Sequence, residues 1–507
     1  MLRALTQSHY RSGYLAVSLF ILVVIIRLLT VQRMGLMPQD AYYYYYSEHL
    51  ALSYYDHPPM IAYLLRLFTE IFSKDEVIIK LANAVTTVFS LVAFYFLAKQ
   101  FLPRHRAGSS LVLLGSTVMV TNLSLVSLPD VPLVLFWTLS LLLLHKAIHT
   151  GSGFYWALAG ITVGLSFNSK YTAVFLLLGL VLFLLLSSQH RKYVFSRQML
   201  LLLIFLLLTV SPVVMWNLQN DWISFEFQSS NRMSSIAELN LSPRFFFGNI
   251  GAQLLLLMPV LFVAMFVVFW KVGKKAIVKR SMPDSDVLFL LCFFLPIVGF
   301  FFTLSSVYLV KSNWLMPAYI AAVVLIGIYL TERHVRYHLA VSVVLHVLLL
   351  VQVVFYPVPV KSDDTWWGWD QLAAEVEILR ERYPNHFIVS DDGYKTAAVL
   401  NFYMKEDVYA GNVLGKNGLQ FSLTHADLSH LKNNDALFID SNNSFTDTLK
   451  SNEIERDLLP YFDQVKELSP IVITDEEGKP VRKFLVFECR NYRYDQLVQF
   501  EDNPIEH

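Results

Sequence analysis

The chain has 507 residues with 40 basic and 40 acidic side chains, so its formal net charge is zero; that balance argues against nucleic acid as a partner. Hydrophobic residues make up 55% and charged residues 16%, against about 45–50% and about 25% in soluble globular chains, which excludes an ordinary soluble enzyme. Two cysteines, Cys292 and Cys489, leave no disulfide framework.

The basic N-terminal stretch MLRALTQSHYRSG leads into an apolar run with no small-residue cleavage site after it. It therefore reads as a retained first helix rather than a removed signal. Apolar blocks near 13–32, 77–98, 109–127, 131–148, 154–168, 171–187, 198–216, 246–270, 286–304, 314–331 and 338–356 predict about eleven spans, since about 20 mainly apolar residues cross a bilayer core. With the N-terminus inside, KQFLPRHR, HRKYVFSR, KVGKKAIVKR and TERHVR share the cytoplasmic side, as loops rich in Lys and Arg do. MPQDAYYYYYSEHL, SLPD, NSKY, WNLQNDW and YLVKSNW fall on the opposite side. An odd number of spans puts the C-terminal 150 or so residues on that side as well.

From about 357 the composition becomes mixed and polar, with Pro357 and Pro359 at the boundary. GWDQLAAEVEILRERY and DGYKTAAVLNFY predict helices, and HFIVS, DALFID and RKFLVFE predict strands. The expected organisation is a polytopic α-helical membrane domain over 1–356, with a long first extracytoplasmic loop over 33–76, followed by an α/β domain over 357–507. That second domain has no Gly-rich phosphate loop and no Cys/His metal spacing.

The first loop carries Asp40, Glu48, His49, Asp56, His57 and Arg66 around a run of five tyrosines, Tyr42 to Tyr46. On a helix, Asp40, Tyr43, Tyr44 and Ser47 share one face. A partly desolvated carboxylate among aromatic rings is suited to accept a proton from a hydroxyl. The tyrosines themselves read as an interfacial anchor at headgroup depth. Asp130 in SLPD serves as a helix cap or as a working acid, and Lys170 in FNSKYT and Lys311 in YLVKSNW either snorkel to the interface or serve a site. Arg232 and Arg244 read as solvated surface charge, with Arg232 kept as a supporting residue. Carboxylates and cations on one membrane face suit a lipid-linked phosphorylated substrate. A lipid-linked sugar flippase or transporter without chemistry is the alternative, although the matched halves and broken helices of transporters are not evident.

The stretches QDAYYYYYSEHL…YYDHPPMIAYL, SLPDVPLVLFW, GITVGLSFNSKYTAVFLL, SPVVMWNLQNDWISFEFQ and KSNWLMPAYIAA resemble, in order and spacing, the bacterial relatives of protein O-mannosyltransferases and of the lipid A aminoarabinose transferases. These are GT-C glycosyltransferases. The resemblance implies an inverting, multi-pass enzyme of the bacterial cytoplasmic membrane. It would take a sugar from undecaprenyl phosphate and pass it to a lipid, glycan or protein acceptor, with its active site and C-terminal domain outside the cytoplasm. It implies Asp40 and Asp130 as catalytic carboxylates and His57, Lys170 and Lys311 as donor-phosphate ligands, with Asp56, Tyr43, Glu48 and Arg232 supporting. Many relatives read Asp-Glu where this chain has Gln39-Asp40, so the base moves to Asp40 or is supplied by Asp56 or Glu48. No cofactor or metal is required by that chemistry, although the Asp/His pairs leave a divalent cation open.

Overall fold

The computed structural model describes residues 2–231, 241–442, 449–475 and 477–494; Arg232, expected as a supporting residue, lies outside them. Among the described residues seven helices are long and apolar enough to cross a membrane: Leu15–Arg33, Glu76–Phe101, Asp130–Thr150, Arg197–Gln219, Pro243–Lys279, Ser285–Leu304 and Glu332–Phe355. Arg104–Gly115 and Val118–Leu125 form one further candidate, bent by 60°. Three shorter apolar helices, Gly153–Phe167, Tyr171–Leu186 and Ser312–Gly327, account for the remaining apolar blocks. The chain is a polytopic helical membrane protein with a C-terminal α/β region.

The structure divides into two units. The first comprises Met1–Gln32, His57–Leu64 and Lys80–Leu350; the second comprises Arg33–Asp56, Leu65–Ile79 and Val351–His507. Most of the loop expected to belong to the membrane domain is thus grouped with the residues that follow the last span.

Within the first unit, every residue of the helix Met316–Gly327 is buried, so this short helix is packed by protein all round and needs no lipid-facing length. Two glycines let neighbouring helices approach closely. A Cβ on Gly160 would sit 2.3 Å from the Leu202 carbonyl oxygen, and one on Gly164 would sit 2.6 Å from the Thr209 Cβ. Small residues four apart are the usual way for membrane helices to pack at backbone distance, and here they join Gly153–Phe167 to Arg197–Gln219. The long helix Pro243–Lys279 breaks at Met258, whose φ of 67° precedes Pro259; proline disfavours helical geometry in the residue before it and leaves a carbonyl without its helical partner.

The second unit contains a mixed sheet: β1 (Phe387–Val389), β2 (Val408–Tyr409), β3 (Ala436–Asn442), β4 (Phe462–Glu467), β5 (Ile471–Thr474) and β6 (Pro480–Tyr492). The order is β2-β1-β3-β6-β4, with β5 also on β6. β1 pairs parallel with β2 and β3, whereas β6 runs antiparallel to β3, β4 and β5. The expected helices appear as Trp369–Arg382 and Lys395–Met404. The central β3 is buried at every position, as a strand covered on both faces must be.

The tyrosine run departs from expectation. Pro38–Glu48 is a helix, and all five tyrosines in it are buried. Tyr42 stacks on Tyr394 at 4.2 Å between ring centroids, Tyr45 stacks on Phe421 at 4.3 Å, and Tyr44 meets Phe402 edge-on at 5.1 Å. The run is therefore a protein core element and not an interfacial anchor. Each ring gains aromatic contact area and each hydroxyl is available to a polar partner, which favours a protein interior over headgroups.

Candidate functional site

The turn SLPD is held from outside itself. Lys80, buried in the helix Glu76–Phe101, donates to the Leu125 carbonyl at 3.1 Å, and Asn83, one turn later, donates to the Ser127 hydroxyl at 2.9 Å. These contacts fix the start of the helix Asp130–Thr150, of which Asp130 is the first residue. The Asp130 carboxylate is fully buried. Lys170 Nζ donates to its two oxygens at 3.0 and 2.8 Å, and Asn313 Nδ2 donates to Oδ2 at 2.6 Å. Asp130 is thus more than a solvated helix cap, and Lys170 does not snorkel: its ammonium ends on a carboxylate inside the protein.

Each partner is set by its own local structure. The helix Gly153–Phe167 ends at Asn168, whose side chain donates to the Thr209 carbonyl at 2.8 Å, and the Lys170 N–H returns to the Ser166 carbonyl at 3.0 Å. Met60, three residues after His57, donates its backbone N–H to the Asn168 carbonyl at 3.0 Å. The residues that follow His57 in the first unit are thereby tied to the Lys170 turn. Asn313 sits in the one-turn helix Ser312–Leu315. Gln253 holds that turn by donating to the Ser312 carbonyl at 3.1 Å, while Tyr319 donates to Gln253 Oε1 at 2.7 Å. Lys311 is exposed and immediately precedes this turn.

A buried carboxylate–ammonium pair contributes little net stability but is costly to break, because removing one partner strands a charge in low dielectric. Such an arrangement fixes the position of one charge with another. Asn313, Lys80 and Asn83 escaped the sequence reading. Lys80 leaves a signal in EVIIKLANAV, an isolated cation in an apolar helix; Asn313, one amide among many, leaves none.

His57 opens the His57–Leu64 stretch of the first unit, whereas Asp40, Tyr43, Glu48 and Asp56 lie in the second unit and are held by separate sets of partners. Asp40 is buried and its Oδ2 accepts the backbone N–H of Met37 at 3.0 Å, closing the N-terminus of its own helix. Gln39 Nε2 donates to Asp364 at 2.7 Å. Tyr43 packs edge-on against Tyr46 at 5.5 Å. Glu48 is bound by Arg66 at 2.9 Å and Lys74 at 2.7 Å. Asp56 is buried and accepts from the hydroxyls of Tyr46 and Tyr42. Burial, and next the Asp56 charge, push both phenols well above their ordinary range, so they stay protonated as donors. The three carboxylates of this segment do not form one acid cluster.

Residues 56–216, which include His57, Asp130 and Lys170, match the family described as dolichyl-phosphate-mannose-protein mannosyltransferase. The chain is 26% identical over 320 residues to lipid A galacturonosyltransferase RgtD of Rhizobium johnstonii, a stretch covering 62% of this chain and 64% of that one. It is also 26% identical over 287 residues to an uncharacterized protein of Aquifex aeolicus, covering 55% and 54%. The matched stretch thus spans less than two thirds of either relative. In three dimensions the chain is similar to ArnT from Cupriavidus metallidurans bound to undecaprenyl phosphate, with a TM-score of 0.64 and 13% identity over 94% of this chain and 98% of that one.

Proposed function

We propose that the chain is a GT-C glycosyltransferase that moves a sugar from a polyprenyl phosphate to a hydroxyl or phosphate of an acceptor outside the cytoplasm, with lipid A or an envelope glycan as the acceptor class. The observation that carries this reading is the buried Asp130 carboxylate gripped by Lys170 and Asn313, with the Lys170 turn held in place at Asn168 by the Met60 N–H. The acceptor oxygen attacks the anomeric carbon, the bond to the phosphate oxygen breaks, and polyprenyl phosphate leaves with the electron pair, inverting the configuration. The acceptor proton goes to a carboxylate, the role that the family resemblance implies for Asp40. The leaving group is already anionic, so it needs charge stabilisation rather than protonation; Lys170, Lys311 and His57 supply it. Asp130 is then a positioning residue, which keeps the Lys170 ammonium in one place. The chemistry as drawn uses no metal. The Lys- and Arg-rich connections on the other side of the spans support a periplasmic site.

The test is transfer of a radiolabelled sugar from a synthetic undecaprenyl-phosphate donor to purified lipid A in proteoliposomes. Transfer is expected with the native chain and is expected to fall at least a hundredfold in Asp40→Asn and Asp130→Asn. Full turnover in both variants removes the carboxylate assignments. Translocation of the labelled lipid across the vesicle without transfer establishes the transporter reading instead.

A further inference from the structure

At the far end of the helix that begins with Asp130, a second cluster uses none of the residues assigned to transfer. The segment LLLLHKAIHTG places His145 and His149 four residues apart, on one face of the helix. Asp130 and His145 are separated by 15 positions, or about 22 Å at about 1.5 Å per residue. Asp286, in the first turn of the helix Ser285–Cys292, approaches both histidines: its Oδ1 lies 3.3 Å from His145 Nε2 and 3.6 Å from His149 Nε2. The ligand atoms of the three side chains all lie within 4.8 Å of one another.

The arrangement of the rings is compatible with metal ligation. His149 Nδ1 lies 2.9 Å from the His145 carbonyl oxygen. A carbonyl only accepts, so Nδ1 donates there, and in the neutral ring Nε2, which faces Asp286, is the nitrogen that presents a lone pair to a metal ion. A backbone carbonyl on the distal imidazole nitrogen is the usual outer support of a metal-bound histidine. His145 is buried with its ring against Phe101 and Phe289, which limits its orientation. His190 lies next to the cluster, 5.6 Å from His149 between ring centroids, with its Nδ1 2.9 Å from the Ser187 hydroxyl.

We propose that His145, His149 and Asp286 form a site for a borderline transition-metal dication such as Zn2+. Two imidazoles and one carboxylate suit such an ion and leave a fourth position for water or His190. Mg2+ and Ca2+, which prefer oxygen ligands, do not fit this donor set. The ion would tie the end of the helix Asp130–Thr150 to the start of Ser285–Cys292 and so brace the helix that carries Asp130. This inference stands independently of the transfer reaction.

The test uses the full chain in detergent, with any affinity tag removed and metal stripped by a chelator. Zn2+ is then titrated in competition with a chromogenic chelator, and retained metal is counted by mass spectrometry. The native chain is expected to retain one Zn2+ with sub-micromolar affinity and to melt at a higher temperature when it is added; excess Mg2+ does not compete. His149→Ala and Asp286→Asn, both at solvent-accessible positions, are expected to weaken binding at least tenfold and to abolish the melting shift. Matching elution profiles and near-ultraviolet circular dichroism establish that both variants are folded. Retention of Zn2+ by both variants at native affinity overturns the proposal, as does a native chain that binds none at micromolar concentration or that exchanges it for Mg2+.

Discussion

Lys170 Nζ bonds both oxygens of Asp130, at 3.0 and 2.8 Å, across 40 residues of chain and with both side chains nearly removed from solvent. The cost of breaking such a pair exceeds its net worth when intact. Lys170→Met alone is therefore expected to destabilise the protein by about 3–5 kcal/mol, read as a lower melting temperature in detergent. The double variant Asp130→Asn/Lys170→Met is expected to recover most of that loss, because neither charge is then stranded. If the double variant is as unstable as the sum of the singles, the two residues are not coupled.

Asn313 contributes one hydrogen bond to a charged acceptor, worth about 1.5–3 kcal/mol. Asn313→Ala is expected to cost an amount in that range. Asn313→Asp is expected to cost more, since it places a second carboxylate beside Asp130 at the 2.6 Å contact. Chemical or thermal unfolding of the two variants orders them; an Asp variant no worse than Ala would count against a close contact.

Gly164 positions the Lys170 turn through its neighbour helix, because its missing Cβ is what allows Thr209 to approach. Gly164→Leu is expected to push Arg197–Gln219 away and to strain the Asn168 bond to the Thr209 carbonyl. Overpacking of this kind costs about 1–3 kcal/mol. Transfer activity is expected to fall by a larger factor than the stability loss explains, and Gly164→Ala is expected to lie between Leu and the native chain.

Asp392, after β1, is half-buried near Asp440 and Asp363; desolvation first, and then those two charges, raise its pKa from 3.8 to about 6. Since the folded value lies above the unfolded one, the folded state holds the proton longer as pH rises. The contribution to stability is complete below about 3.8 and is lost by the time the pH has passed about 6, leaving an ionised, poorly solvated acid beside two others at neutral pH. Asp392→Asn keeps an acceptor for the Thr396 N–H and removes the charge. The variant is expected to gain stability relative to the native chain as pH rises from 4 to 7, by up to about 3 kcal/mol. A difference that does not vary with pH between 4 and 7 would rule this out.

Asp56 accepts from two buried phenols of the tyrosine helix. Tyr46→Phe removes one donor to a buried carboxylate and is expected to cost about 1.5–3 kcal/mol. A substitution at a true headgroup anchor would change membrane partitioning with little effect on the melting temperature of the second unit, so calorimetry in detergent distinguishes the two roles.

Much of the membrane part was legible from residue order alone. Whether about 20 consecutive residues are apolar is a local property, and each apolar block is matched by a helix. Asp130 and Lys170 stood out for the same reason, as charges where the surrounding sequence tolerates few. The strands HFIVS, DALFID and RKFLVFE also announced themselves, whereas β2, with two residues, and β4, with a mostly exposed face, carry too little apolar pattern to be read.

What residue order could not supply was the partner of each group. Five consecutive tyrosines turn through more than a full circle of helix at about 3.6 residues per turn. Their pattern has no polar face to orient it and suits an interface as well as a core. Only the rings of Tyr394, Phe402 and Phe421, more than 340 residues further along the chain, decide for the core. Likewise Asp130 could have capped a helix in water and Lys170 could have reached for headgroups. It is Asn313, 183 positions away, and the close helix contact at Gly164 that bring the two charges together inside the protein. Local chemistry selected the groups able to act, and long-range packing selected which of them meet, because a charge buried in an apolar setting is stable only where the fold delivers its counterpart.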